Sequence, residues 1–150
     1  MQPPKIIKAD VTNIEQVKSA ITLGFVSDPL IRWFFPDPHK YLKNFAFWTD
    51  AFSKPALESD AVFTDENFCG GAIWLPPGVH LGAEVLGSTL EDIPNDRLEN
   101  AMKMFEEFDE CHPKEDHWYL PFIGLDPSKQ GQGIGSLILK ESLKQADEQG

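Results

Sequence analysis

The residues of this 150-residue chain best suited to chemistry lie near its end, in the run Gln130-Gly131-Gln132-Gly133-Ile134-Gly135-Ser136. Three glycines within five positions let the backbone turn its amides inward together, with no side chain to hold an anion away. Residues 136–149 have helical composition, so the unpaired amides and positive dipole end of a helix start would add to the same concavity. A phosphate or pyrophosphate is the ligand for such a turn. Two other phosphate motifs fail on the same letters. A Walker A loop needs Gly-Lys followed by Ser or Thr, which does not occur. A dinucleotide fingerprint begun at Gly131 puts Ser136 where its last glycine belongs, and the sequence ends before an acidic ribose contact about 20 residues on.

Just upstream stand His117 and Tyr119. Alternation along an extended strand sets His117, Tyr119, Pro121 and Ile123 on one face, which makes His117 a candidate base, since histidine as a class titrates near neutral pH. Cys111, His112, Glu115 and Asp116 lack the repeated ligand spacing of a zinc site, so no metal is expected. Cys69 and Cys111, in a chain without an export signal, are expected to be reduced thiols.

The elements that must position these groups can be read from hydrophobic period and breakers. A short strand is predicted over 5–8, and Thr12 with Glu15 has the spacing of a capping box opening a helix over 13–25, whose Ile14, Val17, Ile21 and Phe25 share a face. Asp28, Pro29, Pro36 and Pro38 break the chain around Trp33, Phe34 and Phe35, and helical spacing resumes over 41–52. Strands over 61–64 and 69–75 read as a hairpin turned at Asp65-Glu66-Asn67. A helix over 90–111 would bury Leu98, Ala101, Met102, Phe105 and Phe108. The apolar run over 118–125 predicts a central strand buried on both faces, in which Pro121, having no amide for the ladder, implies a bulge.

Composition bounds the rest. A chain of 16.9 kDa with 41% hydrophobic residues suits one domain with a sizeable core. A net charge of -11 argues against nucleic acid or an anionic membrane as partner, and leans toward a cationic one. No apolar run approaches the roughly 18 residues needed to span a bilayer, and the expectation is a cytoplasmic protein.

Gln130-x-x-Gly133-x-Gly135 resembles the Gln/Arg-x-x-Gly-x-Gly/Ala signature of the GNAT superfamily of N-acetyltransferases. The preceding His117-Trp118-Tyr119-Leu120-Pro121-Phe122-Ile123-Gly124-Leu125-Asp126-Pro127 is similar to the strand before this turn in a bacterial-type group of that family. The specific resemblance covers about residues 117–148, and the helix over 90–111 is similar to an insertion found in the same group. It implies an α/β (α+β) class, a GNAT-like acyl-CoA N-acyltransferase fold with a mostly antiparallel central sheet flanked by helices. Residues 1–150 would form one such domain, with the C-terminal strands of the family fold missing.

The resemblance also implies acetyl-CoA as cosubstrate and a primary amine of a small molecule or peptide as acceptor. Ile123 and Leu125 would pair with its pantetheine, and Gln130, Gly131, Gln132, Gly133, Ile134, Gly135 and Ser136 would hold its pyrophosphate. Many members carry a carboxylate base on this strand where Tyr119 stands here, so Tyr119 and His117 are the candidate catalytic residues. The alternative is an acyl-CoA-binding module without turnover. A bare edge on the last strand would favour association, with a homodimer as the expected form.

Overall fold

A computed structural model describes residues 2–149. The order of elements is β1 (Ile6–Lys8), α1 (Ile14–Gly24), α2 (Pro29–Phe34), α3 (Pro38–Glu58), β2 (Val62–Asp65), β3 (Gly70–Leu75), α4 (Ala83–Gly87), α5 (Asn95–Cys111), β4 (Tyr119–Leu125) and α6 (Ile134–Gln149). Four strands form one antiparallel sheet in the order β1-β2-β3-β4, with helices on both faces, an α+β architecture.

Local chemistry explains where the helices start. Asp28 and Asp37 each precede a proline, and their carboxylates accept the Ile31 and Lys40 amides at 2.9 Å. Each Asp-Pro pair is therefore a helix start, an N-cap followed by a residue whose φ is already helical. The segment expected to be only a break thus contains α2, and α3 begins before residue 41. The capping box expected of Thr12 and Glu15 does not form. The Asp10 carboxylate accepts both the amide and the hydroxyl of Thr12, because an ionised acceptor two residues away outcompetes the helix's own amides. Glu15 pairs with Lys18 at 2.7 Å instead.

The helix expected over 90–111 is divided. Proline disfavours helical backbone in the residue before it, and Ile93, ahead of Pro94, is extended at φ -82°, ψ 133°. A short α4 and a 3-10 turn at Leu90–Asp92 precede the break, and α5 follows it. Only Ala101 of α5 is buried, while Met102 and Phe108 are 46% and 45% exposed, contrary to the inner face expected of them.

The hairpin forms as expected. Asp65, fully buried at its corner, accepts the amides of Asn67 at 3.1 Å and Cys69 at 2.7 Å. Beside it, β4 lies at the edge of the sheet and not in its centre, with only Phe122 buried. Its continuous apolar run reports helices on both faces and says nothing of neighbours on both edges. Pro121 does sit in a bulge: Ile73 pairs with Phe122 and Leu75 with Tyr119, so two steps on β3 oppose three on β4.

The extra residue inverts the alternation. Tyr119 and Phe122 face the α1, α2 and α3 layer, whereas Trp118, Leu120, Ile123 and Leu125 face α6. Tyr119 and Ile123, expected on one face, are on opposite ones. The larger core centres on Phe122, whose ring meets Phe25, Phe45 and Phe52 edge-on at 6.2, 5.4 and 5.6 Å. Phe34 and Phe35 are buried in the same layer against Trp48.

Because Phe122 is the one buried side chain of β4 and meets three other rings of this layer, Phe122→Ala should lower unfolding stability by about 3 kcal/mol or more. Urea denaturation followed by tryptophan fluorescence measures it; a loss under about 1 kcal/mol would mean that β4 is anchored by other contacts.

Candidate functional site

At the end of β4 the Asp126 amide donates to the Cys69 carbonyl at 2.8 Å, holding the strand end against the hairpin. The Asp126 carboxylate accepts the Ser128 amide at 2.9 Å, and its hydrogen bonds with Ser128 hold its pKa below the usual carboxylate value. A 3-10 turn, Pro127–Lys129, follows, and the Gln130 side chain donates back to the Leu125 carbonyl at 3.2 Å. The chain then passes through Gly131 at φ 79° and Gly133 at φ 83°. Both lie in the left-handed region that side chains rarely adopt, and a Cβ on either would meet nothing within 4 Å.

From Gly131 to Ser136, six consecutive amides donate to no acceptor among the described residues, and the first bond of the helix runs from Leu137 to the Gly133 carbonyl at 3.2 Å. Two of these glycines and Gln132 are exposed. Ile134 and Ile138, buried beneath the sheet, fix the axis of α6 so that its N-terminal amides emerge at the turn. Gly135 lies close to the strand, where a Cβ would come within 3.1 Å of Leu125 Cδ1. The result is a set of anchored, uncommitted donors at the positive end of a 16-residue helix, the arrangement that binds an anion.

Ile123 and Leu125 are set for backbone contact along the open edge. Since Asp126 donates toward β3, antiparallel alternation turns the amide and carbonyl groups of Ile123 and Leu125 the other way, to the side that carries no strand. Glycines that the sequence did not single out make this approach feasible. A Cβ on Gly24 would stand 2.7 Å from the Leu125 carbonyl oxygen, and one on Gly70 2.4 Å from that of Gly124, so helix α1 and the hairpin can press on β4 only as glycine. A groove of about 370 Å³ also runs from Ser136 along α6 between Leu139, Lys140, Leu143 and Lys144. The spacing of Lys140 and Lys144, one helical turn apart directly after the glycines, was the available signal for it.

The catalytic candidates gather at the opposite end of the strand, about 20 Å away for seven extended residues. The ring of Tyr119 lies 4.6 Å from that of His112, edge to face, and the His112 ring lies 6.0 Å from His117. Burial pushes the Tyr119 hydroxyl above its ordinary pKa, so it keeps its proton and acts as a donor. His117 Nδ1 lies 2.7 Å from the Glu115 carbonyl oxygen, which requires the proton on Nδ1 and leaves Nε2 free to accept one. Ile123 and Leu125 thus connect the end with the uncommitted amides to the end that carries Tyr119 and His117. Among the described residues no group of three or more His, Cys, Asp or Glu side chains converges on one point, and Cys69 and Cys111 are unpaired. None of the helices described is long and apolar enough to cross a membrane.

A family model described as Acetyltransferase (GNAT) family matches residues 25–150. Among solved structures, that titled histone acetyltransferase HPA2 and related acetyltransferase from Corynebacterium glutamicum ATCC 13032 aligns at a TM-score of 0.65 and 19% identity, over 97% of this chain and 72% of the other. Mosquito arylalkylamine N-acetyltransferase like 5b aligns at a TM-score of 0.54 and 15% identity, over 99% of this chain and 73% of the other. At such identities the two structures establish a shared fold.

Gly133→Ala should destabilise the protein by roughly 1–2 kcal/mol, the cost of a left-handed non-glycine residue, although the added methyl touches nothing. Chemical denaturation of the variant gives the number. An increase in stability, as alanine confers on an ordinary helix start, would contradict the φ of this turn.

Proposed function

The chain belongs to the acetyltransferase (GNAT) family, and on that premise we propose that it moves an acetyl group from acetyl-CoA to a primary amine of a small molecule or peptide. The observation that carries the reading is the row of six uncommitted amides from Gly131 to Ser136 at the start of α6. They fit a diphosphate in number, sign and accessibility, and a chain with net charge -11 offers few other places for one. Lys129 beside the turn and Lys140 in the groove along α6 add positive charge to the same side.

Bound there, acetyl-CoA supplies a thioester carbonyl to the incoming amine. The outward amide and carbonyl of Ile123 and the outward amide of Leu125 suit the alternating amides of an extended pantetheine arm, which would compete with the Gln130 side chain for the Leu125 carbonyl. That arm is directed along β4 toward His117 and Tyr119. The free Nε2 of His117 is the group to take a proton from an ammonium acceptor, directly or through water, and the protonated Tyr119 hydroxyl is the group to give one to a departing thiolate. A backbone amide beside the bulge at Pro121, where the ladder is interrupted, is the candidate for holding developing negative charge on the carbonyl oxygen.

One observation favours the second reading, a module that binds acyl-CoA without turnover: β4 carries no carboxylate, and burial keeps the Tyr119 phenol protonated where a base would be needed. Calorimetric titration with acetyl-CoA and release of free thiol in the presence of a panel of primary amines separate the two. The proposal expects saturable binding, thiol release with at least one amine, and binding weakened at least tenfold by Gly133→Glu, which sets bulk and negative charge among the amides. Binding with no thiol release on any amine would assign the module, and binding unaffected by Gly133→Glu would remove the turn from the site.

A further inference from the structure

The carbonyl of Leu125, at the end of β4, already has a partner. The Gln130 side chain reaches back across the turn and donates to it at 3.2 Å. The same peptide unit donates the Asp126 amide to the Cys69 carbonyl at 2.8 Å on the other side, so the Leu125 oxygen stands on the unpaired edge of the sheet. A carbonyl oxygen has two lone pairs and could take two donors. Here helix α1 covers one approach: a Cβ on Gly24 would stand 2.7 Å from the oxygen. Gln130 fills the approach that is left.

The turn itself is closed by other bonds. The Lys129 amide donates to the Asp126 carbonyl at 2.8 Å, and the Asp126 carboxylate accepts the Ser128 amide at 2.9 Å. Gln130 is exposed, and a hydrogen bond made at an exposed position contributes little enough for a competing amide to displace it. Beside it the amides from Gly131 to Ser136 donate to nothing among the described residues. The two halves of the site therefore differ: its diphosphate half stands open, and its strand half carries a side chain that imitates an incoming amide.

We propose that the Gln130 carboxamide is a place-holder for the pantetheine arm, a positioning residue that satisfies the Leu125 carbonyl in the free protein and swings off when an amide of the arm takes its place. This role presupposes the proposed binding of acetyl-CoA and adds an order to it. The diphosphate meets free amides and lands unopposed, whereas the arm must exchange one carboxamide N–H for another. That exchange is chemically even, so the arm gains little from this carbonyl and the affinity rests on the turn. Removing the competitor strengthens only ligands that carry the arm. A glutamine that merely braced the turn would act in the opposite sense, since its loss would weaken every ligand of the amides.

The test is calorimetric titration of the wild type and of Gln130→Met, a side chain of similar length with no N–H to donate. The ligands are acetyl-CoA and adenosine diphosphate, which carries a diphosphate and no arm. Circular dichroism checks that the variant folds, as expected at an exposed position. Gln130→Met should bind acetyl-CoA roughly two- to tenfold tighter, the contribution of one displaced hydrogen bond, and adenosine diphosphate within about twofold of the wild type. In heteronuclear NMR the side-chain amide signal of Gln130, identified by its absence from the variant, should move to the position of a free glutamine amide with acetyl-CoA and keep its bonded position with adenosine diphosphate. Unchanged or weaker binding of acetyl-CoA by the variant, or a Gln130 signal that acetyl-CoA leaves in its bonded position, would overturn the proposal. A parallel loss for both ligands would overturn it too and assign the side chain to bracing the turn. A wild type that takes up no acetyl-CoA would bring down the cosubstrate reading together with the place-holder, an outcome distinct from an unmoved Gln130 in a protein that binds.

Discussion

Strand β4 must meet two demands at once: it is covered by helices on both faces, yet it is paired on only one edge. A regular strand would satisfy the first by strict alternation. The bulge at Pro121 changes that solution midway, sending Tyr119 and Phe122 to the α1, α2 and α3 layer and Trp118, Leu120, Ile123 and Leu125 to the α6 layer. Proline suits the place because the bulged residue has no ladder bond to give up. The remaining structure follows from this arrangement. Phe122 draws α1 and α3 together, Leu125 sets the closeness of α6 through Gly135, and the unpaired edge leaves the outward groups of Ile123 and the Leu125 amide open, while the Leu125 carbonyl accepts from the Gln130 side chain.

On the proposed function, an acidic protein that is to bind an anion cannot rely on surplus lysines, and the backbone supplies the positive potential. The amides of Gly131 to Ser136 are partial charges that need no counterion, and they are held in place because Ile134 and Ile138 are buried beneath them. Side-chain cations serve as a supplement, with Lys129 before the glycines and Lys140 after them. Such a site is insensitive to the net charge of the chain, since dipoles at contact distance outweigh a screened overall field.

Much of this was legible in the letters. The strand, glycine turn and helix at the end of the chain show locally: an apolar run, breakers, then helical composition, each fixed by its own backbone preferences. The hairpin turn at Asp65 was equally plain. What escaped the sequence were effects of contact between distant parts. The apolar run over 118–125 announces two covered faces but cannot say whether the edges are paired, and it was read as a central strand. A proline signals a bulge without saying how many residues oppose it, so the faces of Tyr119 and Ile123 were assigned by an alternation that the bulge inverts. Asp28, Pro29, Pro36 and Pro38 read as breaks, although an Asp-Pro pair is also a helix start, and Pro94 divides a helical period that reads as continuous. Gly24 and Gly70 carried no local signal, since their necessity lies in the backbone of Leu125 and Gly124 against which they press.

The two charged surfaces of the molecule are kept apart by the same strand. Uncommitted amides gather at its C-terminal end, and the carboxylates of α5 lead to its N-terminal end through His112, whose ring meets Tyr119 at 4.6 Å. A strand of seven residues sets these ends about 20 Å apart, roughly twice the distance over which salt at physiological strength screens exposed charges. At that separation the fields of the two surfaces overlap little, so the uncommitted amides and the carboxylates do not neutralise one another in place.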